Sequence, residues 1–201
     1  MSLVNFTTRE ITCKIVYYGP GRSGKTSNLH YIYGQVPEDR KGRMVSLATQ
    51  TDRTLFFDFL PLDLGSISGF TTKFQLYTVP GQVYYNATRK LVLQGADGVV
   101  FVADSQVRQL DENIESLQNL HQNVLEQGLD VRTLPMIIQY NKQDLPPELI
   151  LKAAELDDAL NFRNLTSVSA DALHGPGVFE TLKAISAEVL RKLSEGSAAR
   201  H

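Results

Sequence analysis

The chain has a single cysteine, no tryptophan, no apolar run of membrane-spanning length and no excess of either charge. Each shortage closes off a class of function. One cysteine, Cys13, cannot build an internal disulfide, and in its apolar segment it reads as a buried strand residue of a protein from a reducing compartment. The four histidines, His30, His121, His174 and His201, lack metal-ligand spacing, so no zinc site is expected. Twenty Lys and Arg against 22 Asp and Glu leave a net charge of −2, which gives no basic face for nucleic acid. No stretch approaches the roughly 20 apolar residues of a membrane span. The opening "MSLVNFTTREI" lacks the basic and long apolar parts of a signal peptide. Ser2 stands where myristoylation needs glycine, and no C-terminal cysteine offers a prenylation site. The expectation is a cytoplasmic protein with no direct membrane anchor. Repeats, low-complexity tracts and dividing linkers are also lacking. Residues 1–195 read as one domain, and 196–201, within "SEGSAARH", as a disordered or expression-derived tail.

What is present is a strand–helix alternation. "ITCKIVYYG" reads as a first strand and "GKTSNLHYIYGQV" as the helix after it. Residues 37–53 are polar without a clear period. "TLFFDFLPL" and "FTTKFQLYTV" read as two strands joined by the turn-rich "DLGSISG". Helical patterns cover 84–94 and 109–127, and the apolar runs "GVVFVAD" and "PMIIQYN" read as buried strands. A helix is expected from Pro146-Pro147, and "LTSVSA" and the amphipathic "GVFETLKAISAEVLRKL" close the chain. This order specifies an α/β fold: a mostly parallel six-stranded sheet with one antiparallel edge strand and helices on both faces.

"GPGRSGKT", Gly19 to Thr26, fits G-x-x-x-x-G-K-[ST] between the first strand and the first helix. Glycines let the backbone curl until successive N–H groups face a phosphate, and the helix adds its own unpaired N–H groups and positive dipole end. Gly19, Gly21, Arg22, Ser23, Gly24, Lys25, Thr26 and Ser27 are the phosphate-site candidates. Lys25 is expected to reach the β- and γ-phosphates, and the Thr26 hydroxyl to bind Mg2+. Kinases, ATPases and GTPases all use such a loop. Asn141, Lys142 and Asp144 form N-K-x-D at the end of an apolar strand. An ionised Asp144 accepts from both the N1–H and the amino group of guanine, whereas adenine offers no such pair of donors. Lys142 packs along the base in this reading, and Asn141 ties the loop to the phosphate loop. "SVSAD" places Ser169 and Ala170 where a backbone N–H can meet the guanine O6.

These motifs resemble the Ras-like superfamily of small GTPases over nearly the whole chain, and within it the bacterial MglA-type GTPases of cell polarity and gliding motility. "KIVYYGPG", "GKTSNL", "MVSLAT", "RTLFFDFLPLD", "LYTVPGQVYYNATRKL", "GVVFVADS" and "GVFETLK" carry the likeness. It implies a P-loop GTPase domain cycling between GTP and GDP with Mg2+, and slow hydrolysis accelerated by a roadblock/LC7-type MglB homodimer. It further implies a strand that shifts register during the cycle, polarity or motility effectors, and recruitment to a cell pole by partners. Thr54 is assigned by the resemblance to the γ-phosphate and Mg2+, with Thr49 and Thr51 as rivals, and Arg53 is similar to a built-in arginine finger. Without it, Arg53 reads first as a solvated arginine beside Asp52, with Arg40, Lys41 and Arg43 nearby. A guanidinium against the γ-phosphate is worth roughly 10³ to 10⁵ in rate.

"TVPGQ" holds the remaining candidates. Gly81 offers its N–H to the γ-phosphate, and Gln82 can orient the attacking water, because its amide both donates and accepts. Thr78 departs from the superfamily's D-x-x-G, whose aspartate binds Mg2+ through a water; the MglA-type branch shares this threonine. Asp58 and Asp63 read as strand-end and turn residues, Asp104 as a cap, and Phe56 and Phe57 as facing opposite sides of a strand. Two other readings stay open: a P-loop ATPase or nucleoside kinase, which N-K-x-D opposes, and a module that holds nucleotide without turnover, which Gln82 and Arg53 oppose.

Overall fold

Period-two alternation in the buried strands sorts their side chains into two cores, one on each face of a sheet. In the computed structural model, which describes residues 3–5, 7–47, 57–67 and 69–198, strand β2 (Glu10–Tyr18) sends Val16 and Tyr18 to one face and Cys13, Ile15 and Tyr17 to the other. Strands β6 (Gly98–Asp104) and β7 (Met136–Asn141) are buried throughout and divide in the same way. Apolar runs buried on both faces belong to the middle of a parallel sheet. Helices α1 (Lys25–Gln35) and α5 (Val178–Ala198) cover one face; α5 presents Val178, Leu182, Ile185 and Val189 at helical spacing. Helices α2 (Asn86–Leu93), α3 (Leu110–Glu126) and α4 (Ala153–Leu160) cover the other, with Leu117, Leu120 and Val124 of α3 in its core.

Among the described residues the sheet has eight strands. The others are β1 (Leu3–Asn5), β3 (Val45–Leu47), β4 (Phe57–Ile67), β5 (Phe70–Thr78) and β8 (Ser167–Ser169). Their order is β3-β4-β5-β2-β6-β7-β8, with β1 paired to β2 off this path. Pairs β2–β5, β2–β6, β6–β7 and β7–β8 are parallel, and β1–β2, β3–β4 and β4–β5 antiparallel. The expected six strands thus gain β1 and β3, three residues each and too short to show a period. The loop expected at 63–69 is mostly strand: β4 runs to Ile67 past an irregularity between Asp63 and Ser66. The helix expected from Pro146 is a single 3-10 turn, Pro147–Leu149, after which Leu151 N–H donates to the Ser105 carbonyl at 2.8 Å. Helix α4 then starts at Ala153, where the Glu155 carboxylate accepts from Lys152 N–H at 2.8 Å.

Because β2, β5, β6 and β7 run parallel, they all end at one edge, at Tyr18, Thr78, Asp104 and Asn141. The loops that follow meet there, which is where open α/β sheets bind ligands. No described helix is long and apolar enough to cross a membrane.

Candidate nucleotide-binding site

The loop between β2 and α1 opens a cavity of about 480 Å³, lined by Arg22, Gly24, Lys25, Thr26 and Ser27 from one side and by Asp58, Thr78 and Gly81 from the other. No side-chain hydrogen bond caps α1 and its first turn carries no acid of its own, so its first N–H groups are free of a local capping carboxylate. Lys25 is buried and donates from Nζ to the Gly19 carbonyl at 3.0 Å and the Pro20 carbonyl at 2.5 Å. Burial pulls its ammonium down to about 7; the charge of Arg89 adds to that, and Asp58 opposes it. An anion in the cavity restores the charged form, as a phosphate does.

The base-side loop is bolted to the phosphate loop. Asn141 Nδ2 donates to the Ser23 carbonyl at 2.7 Å, and Asn141 Oδ1 accepts from Ala172 N–H at 2.8 Å. Gly24, at φ +100°, leaves the space this needs: a Cβ there would lie 2.0 Å from Asn141 Nδ2. Lys142, itself at φ +71°, donates to buried Asp104 at 2.5 Å, so Asp104 orients the lysine of N-K-x-D rather than only capping a loop. Asp144 is exposed, its carboxylate near Asp171 and His174. Ala170 needs a correction. Its N–H donates to the Tyr140 carbonyl at 2.8 Å, spent on pairing β8 with β7, so it is not presented to a guanine O6. Ser169 is exposed at the end of the edge strand β8.

The largest surprise is Asp58. It sits on β4 opposite Thr78 of β5, buried, on the face away from Phe57 and Phe59, whose rings pack against Tyr77. Its carboxylate accepts from Thr26 Oγ1 at 2.6 Å, Ser46 Oγ at 2.7 Å and Thr78 Oγ1 at 3.0 Å, while its N–H donates to Thr78 Oγ1 at 2.8 Å. Among the described residues its hydrogen-bond partners are these three neutral hydroxyls. A buried carboxylate so placed has oxygen neighbours and negative charge to offer, which suits a hard divalent cation. Asp58, the second residue of β4, is therefore more than a strand-end residue, and Thr78 is its partner rather than a substitute for it. An acid between two phenylalanines in an apolar strand was the signal available in the sequence.

Gly81 lies against the phosphate loop: a Cβ on it would be 2.3 Å from Gly21 Cα. Gln82 is exposed and outside the cavity lining. Arg53, Thr54, Thr49, Thr51 and Phe56 lie outside the described residues.

The family model of the ADP-ribosylation factor family matches residues 48–189. The mutual gliding-motility protein MglA of Myxococcus xanthus (strain DK1622) is 57% identical over 196 residues, which is 98% of this chain and 100% of that protein. ADP-ribosylation factor-like protein 6 of Caenorhabditis elegans is 26% identical over 186 residues, 88% of this chain and 86% of that protein. ADP-ribosylation factor-like protein 4D of Mus musculus is 29% identical over 161 residues, 80% of this chain and 72% of its own length.

Proposed function

The chain belongs to the ADP-ribosylation factor family of small GTPases, and from that membership we infer that it is a GTP-hydrolysing switch acting in gliding motility. The observation that carries the site assignment is the bond from Asn141 to the Ser23 carbonyl, which ties the N-K-x-D loop to the phosphate-holding loop that lines the cavity. Lys25 and the loop amides hold the phosphates, and Asp144 takes the two guanine donors. Thr26 Oγ1 and the Asp58 carboxylate, 2.6 Å apart, would hold Mg2+, with Thr54 as the further ligand that the resemblance supplies. The metal neutralises charge on the phosphate oxygens. Gly81 directs its N–H to the γ-phosphate, Gln82 orients the water, and Arg53 stabilises the charge that develops as phosphoryl transfers. The switch acts by changing the surface that ordered loops offer to partners. A roadblock-type dimer accelerates hydrolysis and partners recruit the cytoplasmic protein to a pole.

Titration with GTP, GDP and ATP tests the nucleotide, and Asp144→Asn tests the reader. An amide in place of the carboxylate loses one acceptor and gains a donor, so preference should pass from guanine to xanthine, which carries an acceptor oxygen at C2. Unchanged guanine preference sinks the Asp144 assignment. Single-turnover hydrolysis with and without a roadblock-type dimer tests the activity and its regulation; no hydrolysis under either condition removes the enzyme label.

A further inference from the structure

Arg89 of α2 is fully buried, and it heads the largest fully buried side chains. Its hydrogen-bond partners among the described residues are neutral. Nε donates to the Pro80 carbonyl at 2.9 Å, Nη2 to the Gly81 carbonyl, and Nη1 to Asn119 Oδ1 of α3 at 2.7 Å. Its Cζ lies 5.2 Å from the Tyr18 ring centroid. Burying a guanidinium beside neutral groups is costly, and a Met or Leu would fill the same space without that cost. What those residues lack is a rigid fork able to hold two consecutive carbonyls at once.

Those carbonyls belong to the two residues before Gln82. In a planar trans peptide the N–H points opposite to the C=O. With the Pro80 carbonyl drawn toward Arg89, the Gly81 N–H is turned away from it. Gly81 meanwhile packs against Gly21 of the phosphate loop. The other end of the fork is anchored in a buried network. Asn119 Oδ1 also accepts from Tyr18 Oη at 2.6 Å and Asn123 Nδ2 at 3.1 Å, and both asparagines donate to Asn86 Oδ1. Tyr18 is the last residue of β2, directly before the phosphate loop.

We propose that Arg89 is the positioning residue of the Pro80–Gly81–Gln82 turn, holding both its carbonyls and coupling their position to α3 through Asn119. This rests on the reading of Gly81 and Gln82 as the γ-phosphate and water contacts. The coupling gives α3 a mechanical route to the hydrolysis site: a shift at Asn119 moves the fork, and the fork moves the turn.

The test compares Arg89→Met, Arg89→Lys and Asn119→Ala with the parent protein and Gln82→Ala. Amide hydrogen exchange over residues 80–85, single-turnover GTP hydrolysis and GDP affinity are read in each. Arg89→Met should raise exchange in that turn and lower the hydrolysis rate, each by about tenfold or more, a change of about 1.4 kcal/mol or more in each. GDP affinity should stay within about threefold, because GDP has no γ-phosphate for Gly81 to meet. Arg89→Lys should not restore either quantity, since one ammonium cannot span both carbonyls and Asn119. Asn119→Ala should show the same pattern more weakly. Full recovery by lysine, a parallel loss of GDP affinity, or faster exchange spread evenly over α2 and α3 overturns the proposal. If Gln82→Ala hydrolyses as fast as the parent, the catalytic reading has failed, while the exchange measurement still decides whether Arg89 holds the turn. Should Arg89→Met not fold, Arg89→Lys and Asn119→Ala carry the same contrasts.

Discussion

Asp58→Asn should strip the protein of most of its Mg2+ affinity, and Thr78→Asp should return part of it, but only in that background. The carboxylate of Asp58 accepts from three hydroxyls at 2.6, 2.7 and 3.0 Å. An amide there keeps one acceptor oxygen and turns an NH2 group toward hydroxyls that were donating. Hydrogen bonds to a charged acceptor are worth about 1.5–3 kcal/mol each, so the local loss is a few kcal/mol before any metal is considered. For the metal, two unit charges about 4 Å apart at an effective dielectric near 20 interact by about 4 kcal/mol. A dication doubles that and an intervening water reduces it, so a loss of about 3 kcal/mol, or a hundredfold in affinity, is a conservative figure. The assay is the Mg2+ dependence of fluorescent GDP release. A half-maximal Mg2+ concentration within threefold of the parent would falsify the assignment of Asp58 to the metal. Thr78→Asp alone sets a second carboxylate beside the first, and two like charges that close cannot both ionise. It should lower stability and bring no gain in Mg2+ affinity. In the Asp58→Asn protein the same change pairs a carboxylate with the new amide donor, and affinity should recover by about tenfold. No recovery in the double variant refutes the idea that the carboxylate has moved between neighbouring strands.

Four further outcomes follow. Gly81→Ala sets a Cβ 2.3 Å from Gly21 Cα, which is backbone and cannot yield, so single-turnover hydrolysis should fall by about tenfold or more. Gly21→Ala places its Cβ 4.0 Å from the Gly81 carbonyl carbon, an ordinary contact, and GDP affinity by titration should stay near the parent value. Cys13, buried and with Asp97 nearby, has its thiol pushed up to about 12. At pH 8 this leaves about a thousandfold less thiolate than the ordinary value gives, so iodoacetamide should label the native protein far more slowly than the denatured one; similar rates would contradict the burial. His121 is held below its ordinary value by burial and then by the charge of Arg163. The unfolded chain therefore takes up this proton first, and stability should decline as pH falls through 6.5 toward the folded value. Urea midpoints at pH 7 and pH 5 should differ less in His121→Phe than in the parent.

The readable parts of the sequence were those where one residue type has one physical use. β6 and β7 announce themselves because their apolar, β-branched runs are of strand length and precede loops, and Gly19 to Thr26 announces itself through its glycine spacing. β1 and β3 stayed hidden because three residues carry no period, and their pairing with β2 and β4 is decided by tertiary contact. The Pro146-Pro147 start failed because the chain first returns to Ser105 before helix geometry resumes at Ala153. The roles of Asp58 and Arg89 were not legible for a shared reason, although the acid between two phenylalanines marks Asp58 as unusual. Each is a charge whose partners, Thr26, Ser46 and Thr78 in one case and Pro80, Gly81 and Asn119 in the other, include residues brought in by other elements.

A metal-binding carboxylate on β4 rather than β5 would change what metal binding depends on. β5 is held between β2 and β4 and ends in the Thr78 hydroxyl, so an acid there would be a fixed part of the scaffold. β4 is flanked on its outer side by the three-residue β3 and is irregular between Asp63 and Ser66. Asp58 bonds Thr26 in the register that pairs Phe59 with Tyr77. A slip of one residue would turn Asp58 to the other face and bring a phenylalanine toward the cavity, and a slip of two would carry it about 7 Å along the strand. Were β4 to change register, as the resemblance implies, metal affinity and register would be two readings of one equilibrium, and linkage would require each to bias the other by the same free energy. A neutral threonine at position 78 would permit this coupling, because a second carboxylate there would hold the metal in either register and uncouple the two.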